Sequence, residues 1–128
     1  MIDPSAPIAA DPRGPLAGKR GLVTGIANAD SIAWGCAAAL RAQGAELAVT
    51  YLNDRAAPHV RPLAERLGAA LVLPLDVEAP GETAAVFAAL AAAWGEVDFV
   101  VHSLAFAPAG DLHGRVVDCS ADGFLRAM

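Results

Sequence analysis

The sequence predicts an α/β fold, a doubly wound parallel sheet with about four strands, and two observations carry that prediction. Short apolar runs around Leu22-Val23, Glu46–Tyr51, Leu71–Leu75 and Val97–Ser103 alternate with longer segments of helical spacing. Connections this short between strand and helix call for parallel strands, with crossover helices on both faces. The second observation is local: the first apolar run breaks at Thr24-Gly25 and a helical pattern begins at Ser31. A helix start offers unpaired N–H groups and the positive end of a dipole, so a glycine turn ahead of it can receive a phosphate closely.

The elements follow in order. Met1 to Ala17 carries four prolines and no long apolar run, and reads as a disordered leader, with the folded domain over 18–128. Leu22-Val23 forms the first strand. The helix from Ser31 runs through Ala37, Leu40 and Arg41 and stops at Gly44. Glu46–Tyr51 is the second strand, ended by Asn53-Asp54. From Arg55 to Leu67, Val60, Leu63, Ala64 and Leu67 share a helical face, with Pro58 near the start, while Pro62 calls for a late start or a kinked first turn. Leu71–Leu75 is a third strand stopped by Asp76, and Pro74, which cannot donate to a ladder, marks it as an edge or sits at a non-bonding position. A helix over Pro80–Trp94 is expected to bury Ala84, Phe87, Ala88, Leu90, Ala91 and Trp94. Val97–Ser103 makes the fourth strand. A loop over Leu104–Asp118 then leads to Ser120, an N-cap residue for a helix over Ala121–Met128. A short helix with no strand after it makes the doubly wound sheet incomplete.

Composition narrows the function. The 128 residues suffice for one modest domain, and much of the 55% hydrophobic content is alanine, so the bulky core is lean. A net charge of −5 argues against a nucleic-acid backbone or an anionic membrane as partner. No stretch approaches the ~20 apolar residues of a membrane span. A soluble, cytoplasmic protein is expected. Cys36 and Cys119 form no C-x-x-C and stand at no metal-ligand spacing from a histidine, so both are read as reduced thiols and no metal is expected.

The phosphate signal is incomplete by itself. After Gly25 the next glycine is Gly35, so the G-x-G-x-x-G fingerprint is not present. Gly25 with Ser31 and Ile32 is then either a phosphate cradle or a plain turn followed by an N-cap serine. Asp76 either ends a strand or serves a ligand at a strand's carboxyl end, where open α/β sheets bind.

Several separated motifs decide between these readings. Thr24-Gly25-Ile26-Ala27 with Ser31-Ile32-Ala33, then Thr50-Tyr51, Asp76-Val77 and His102-Ser103-Leu104-Ala105-Phe106-Ala107-Pro108 resemble, in order, the bacterial enoyl-acyl-carrier-protein reductases of the FabI type. These are a divergent branch of the short-chain dehydrogenase/reductases, with a Rossmann-like fold. The resemblance runs from about Leu16 to Met128 and covers the first half of a family member.

It implies NADH as cofactor and the trans-2 double bond of an enoyl-acyl-carrier-protein thioester as substrate, in type II fatty acid synthesis. It implies that Gly25, Ser31 and Ile32 hold the cofactor pyrophosphate, that Asp76 and Val77 read adenine, and that Leu104 lines the cofactor near the ribose and nicotinamide. Ala107 is implied to face the acyl substrate through its backbone. Leu52 stands where many members carry a glutamine near the adenosine ribose, and Arg55 nearby is suited to a 2′-phosphate, which leaves NADPH as the alternative to NADH. Ala105 replaces a common glycine.

The family's catalytic tyrosine and lysine come after the point where this sequence stops. Its one tyrosine, Tyr51, and one lysine, Lys19, stand elsewhere. Hence no catalytic residue is assigned, His102 included, and the 128-residue chain alone is expected to be inactive. Full-length members are expected to be homotetramers. Two other readings stand beside this one: a non-catalytic dinucleotide-binding remnant or sensor, and a short-chain dehydrogenase/reductase with a different substrate.

Overall fold

The computed structural model describes residue 3 and residues 5–128. Its elements are β1 (Arg20–Thr24), α1 (Ile32–Ala42), β2 (Glu46–Tyr51), α2 (Ala57–Arg66), β3 (Leu71–Pro74), α3 (Glu82–Trp94), β4 (Phe99–His102) and α4 (Ala121–Ala127). Two short 3-10 turns, Ala109–Leu112 and Val116–Asp118, lie between β4 and α4. The four strands form one parallel sheet in the order β3-β2-β1-β4. This is the expected doubly wound half-sheet, its order reversing beside β1.

β1 and β2 are buried on both faces, and their middle residues, Leu22-Val23 and Leu47-Ala48-Val49, are accordingly apolar without alternation. On one face Val23, Leu47 and Val49 pack with Ala33 and Ala37 of α1 and Val60, Leu63 and Ala64 of α2. On the other, Leu22 and Ala48 pack with Leu75 and with Val86 and Leu90 of α3. Leu22, Val23, Leu47, Val49, Val60 and Leu90 are fully buried. Each such side chain contributes about 1.5–3 kcal/mol of transfer free energy, which makes the central strand pair the strongest part of the fold. Gly21 lies opposite Phe99 in the β1–β4 register. A Cβ at Gly21 would fall 2.0 Å from the Phe99 ring, so the ring lies flat against the backbone of β1.

The edge position of Pro74 is as expected: β3 pairs with β2 alone, and Pro74 is its last residue. α2 starts later than the expected Arg55, because the Asn53 carboxamide accepts the N–H groups of Arg55 and Ala56, both at 3.1 Å. That Asx-type turn satisfies donors a helix start would leave free. Pro58 then occupies the first turn and Pro62 sits inside the helix.

α3 differs from expectation in the face it buries. Ala84, Phe87, Ala88 and Ala91 are exposed, and the helix is seated by Val86 and Leu90 with Trp94 partly buried beside them. A helix apolar all round gives no direction to its periodicity. The large residues spaced four apart, 86, 90 and 94, therefore choose the face.

The leader also differs. Residues 1, 2 and 4 of the expected disordered segment lie outside the described residues, but the part from Ala6 to Ala17 is docked on the α1–α2 side. The Ile8 N–H donates to the Arg66 carbonyl, Asp11 to Ala42 and Leu16 to Gln43. The Arg66 guanidinium donates back to the Ala6 carbonyl, and Ile8 and Leu16 pack against the core. Two apolar side chains and helix-end carbonyls needing donors suffice to hold a proline-rich segment whose ordering costs little backbone entropy.

Candidate functional site

A cavity of about 520 Å³ opens at the carboxyl ends of all four strands. Gly25 and Ile26 after β1, Leu52 and Asn53 after β2, Asp76 to Glu78 after β3, and Ser103 to Phe106 after β4 form its walls, and Arg126 to Met128 of the α4 end cover one side. The volume is within the range of small-molecule sites, and its place, where strand order reverses, is where open α/β sheets bind ligands.

The floor is set by Gly25. It has φ +96°, in the left-handed region, and a Cβ there would lie 1.9 Å from the Ser103 carbonyl oxygen. The Thr24 hydroxyl donates to the Val101 carbonyl at 3.0 Å, drawing β1 and β4 together just below this point. Backbone is therefore laid against backbone, and the turn presents main chain to a ligand.

Ser31 behaves differently from an ordinary N-cap. Its hydroxyl oxygen makes no cap bond to α1 and instead accepts the N–H groups of Ala27 (3.0 Å) and Asn28 (3.1 Å). Both lone pairs are thereby used, and the hydroxyl proton remains to be donated. The Ser31 carbonyl takes the N–H groups of Trp34 and Gly35, while those of Ile32 and Ala33, in the first turn, have no intrahelical acceptor. A free hydroxyl proton and free N–H groups at a helix N-terminus are a donor set for a phosphate oxygen. That donor set and the glycine cradle fit the diphosphate of a dinucleotide.

Asp76 is held from two sides. Its N–H donates to the Glu82 carboxylate, and its Oδ1 accepts the Glu78 N–H at 3.0 Å. Its Oδ2 makes no hydrogen bond among the described residues. Val77 is more than half exposed beside it.

Of the residues singled out from sequence, Gly25, Leu52, Asp76, Val77 and Leu104 line the cavity together. Ser31, Ile32 and Ala107 lie outside the lining; the Ile32 side chain is exposed, so that what it offers the site is its N–H. His102 lines the cavity at the end of β4 with no ion-pair partner among the described residues. Tyr51 is buried with its hydroxyl 3.4 Å from Arg61, and Lys19 lies at the opposite end of the sheet near Asp98; neither reaches the cavity.

Sequence reasoning missed Glu78 and Arg126, and named Phe106 only as part of the motif after β4. Arg126 makes a two-pronged ion pair with Glu78, Nε to Oε1 at 2.5 Å and Nη2 to Oε2 at 2.9 Å, and its guanidinium lies 4.6 Å from the Phe106 ring centre. The Arg126 hydrogen bonds hold the Glu78 carboxyl below its ordinary value. Forty-eight positions separate the pair, and no local signal joins them.

Both cysteines are free, and among the described residues no group of three or more His, Cys, Asp or Glu is placed to hold a metal. No described helix is long and apolar enough to cross a membrane.

Residues 25–128 match the family described as enoyl-(acyl carrier protein) reductase. An NADH enoyl-acyl-carrier-protein reductase of Rhizobium meliloti is 46% identical over 115 residues, covering 90% of this chain and 43% of the relative. One from Rickettsia bellii is 43% identical, covering 90% of this chain and 44% of its own length. Among solved structures, the Anaplasma phagocytophilum reductase in complex with NAD superposes with a TM-score of 0.82 at 46% identity, covering 88% of this chain and 43% of that one. The Aquifex aeolicus NADH reductase gives 0.84 at 41% identity, covering 88% and 45%. The chain thus spans less than half the length of the relatives it matches.

Proposed function

The chain belongs to the enoyl-(acyl carrier protein) reductase family, and from that premise we propose that its cavity binds NADH in a reductase acting on the trans-2 double bond of enoyl-acyl-carrier-protein thioesters in type II fatty acid synthesis. The observation that carries the reading is the convergence of Gly25, Leu52, Asp76, Val77 and Leu104 on one cavity at the strand ends.

In this assignment Gly25 lets the main chain approach the pyrophosphate, and the Ser31 hydroxyl proton with the N–H groups of Ile32 and Ala33 neutralises its charge. Asp76 Oδ2 accepts the adenine exocyclic amine while the Val77 main chain meets a ring nitrogen. Leu52 offers the adenosine ribose contact without a hydrogen bond. Leu104 packs near the nicotinamide ribose, and the Ala107 backbone faces the acyl chain. Bound here, NADH supplies hydride to the β-carbon of the enoyl thioester.

Hydride addition builds negative charge on the thioester oxygen, which needs a donor aimed at it. Neither Tyr51 nor Lys19 lines the cavity, which supports the reading that these residues supply cofactor grip and no catalytic acid. The same observation supports a second reading, a dinucleotide-binding module without catalysis. A cytoplasmic location, acyl-carrier protein as the substrate's carrier and a tetrameric full-length assembly belong to the first reading.

Titration calorimetry with NADH, and a spectrophotometric assay with crotonyl thioester, test both. Saturable NADH binding displaced by ADP, with no turnover by the 128-residue polypeptide, is the expected result. Absence of NADH binding at millimolar concentration overturns the cofactor assignment, and turnover near ordinary enzyme rates overturns the assignment of no catalytic residue.

A further inference from the structure

We infer that Glu78, Phe106 and Arg126 form a positioning clamp that holds the Asp76 carboxylate in register for an amino-bearing purine, an inference that rests on the nucleotide reading above. The three residues come from the loop after β3, the loop after β4 and α4, and they meet at the wall of the cavity.

α4 has little else to hold it there. Of its described residues Gly123 alone is buried, and Phe124 and Leu125 are exposed. Its amino end is tied by Ser120, whose N–H and hydroxyl both donate to the Asp111 carboxylate, and whose oxygen accepts the Gly123 N–H at 3.0 Å. Its other end is tied by Arg126, which pairs edge-on with both Glu78 oxygens and lays its face over Phe106.

The clamp reaches the ligand through Glu78. Its side chain is fixed by Arg126, while its N–H donates to Asp76 Oδ1 at 3.0 Å. That bond engages Oδ1, with the Asp76 N–H tied to Glu82, and leaves Oδ2 for the donor it would accept. Releasing Glu78 frees the carboxylate to rotate, so the clamp acts on recognition of the exocyclic amine and not on the diphosphate, which the Gly25–Ser31 turn holds separately. An exposed single ion pair contributes little. This one is two-pronged, stacked and mechanically in series with the ligand contact.

The test compares ADP with IDP, which lacks the exocyclic amine, by titration calorimetry on the 128-residue chain and on Arg126→Met, Glu78→Gln and the charge-reversed Glu78→Arg/Arg126→Glu pair. The expected result is tighter binding of ADP than IDP by the parent chain. Each single variant loses about fivefold for ADP with IDP unchanged, and the reversed pair recovers part of the loss. An unchanged ADP preference in the single variants overturns the clamp and leaves the nucleotide site standing. Equal loss of ADP and IDP also overturns it, since that is loss of structure. A parent chain that binds neither nucleotide overturns the nucleotide reading, and the clamp with it.

Discussion

Replacing Gly25 by alanine puts a methyl group into the closest backbone approach of the site, and its cost can be worked from the structure. The new Cβ would stand 1.9 Å from the Ser103 carbonyl oxygen and 2.5 Å from its carbon, against 3.4 Å for ordinary contact. The backbone must therefore yield by roughly 1.5 Å, which is overpacking of the kind that costs about 1–3 kcal/mol. The residue also sits at φ +96°, which adds about 1–2 kcal/mol for any side chain with a Cβ. Relief by moving Ser103 is blocked, because Thr24 and His102 are register partners and the Thr24 hydroxyl bonds the Val101 carbonyl one residue further back. A destabilisation of about 2–5 kcal/mol is expected, a large share of a small domain's total. Urea unfolding followed by tryptophan fluorescence measures it, and ADP titration on the same samples should show at least tenfold weaker binding. A variant with an unchanged unfolding midpoint and unchanged ADP affinity would refute both the close approach and the role of this turn.

Ser31→Ala removes the acceptor of two loop N–H groups and is expected to cost about 1–2 kcal/mol of stability by urea unfolding, with weaker ADP binding; Ser31→Thr should recover most of both. For pH, the Glu78 carboxyl is paired two-pronged with Arg126 and that of Asp118 with Arg115, so both carboxyls titrate below their ordinary values in the fold. Lowered folded values mean that their contribution is complete above the ordinary carboxylate range, about pH 4, and is lost as pH falls through the lower folded values. The stability these two pairs contribute should therefore be flat from neutrality down to about pH 5 and fall only below the carboxylate range, read by urea unfolding across pH. β4, like β3, is an edge of the described sheet, and Val100 is 48% exposed on it, so sedimentation velocity should show association rising with protein concentration and relieved by Val100→Lys.

Much of the architecture was legible because it rests on local signals. Pro74 could be assigned to an edge from its missing N–H, the β2 bounds from a run of residues with turn formers on both sides, and the Ser120 cap from a serine ahead of a helical pattern. The cavity's membership was legible in part: Gly25 and Asp76 from the glycine turn and the strand's carboxyl end, where parallel sheets bind, and Leu52, Val77 and Leu104 only through the family resemblance. What escaped were relations between distant residues. The docked leader depends on the Arg66 and Gln43 carbonyl ends being near Ile8 and Leu16, and nothing in a proline-rich segment announces that. The Ser31 oxygen was legible as a hydrogen-bonding group but not as the acceptor that shapes the loop before it.

By itself, the sequence determined the order of elements, the parallel sheet and the glycine turn before a helix, since each follows from residue spacing and from what proline and glycine permit over a few bonds. The tertiary structure decided which face of α3 is buried, because an alanine-rich helix has no preferred side until Val86, Leu90 and Trp94 find the sheet. It alone decided that Arg126 closes on Glu78 and Phe106 at the cavity wall, since a charge pair forty-eight positions apart exists only once the chain has brought both ends of it to the same strand ends.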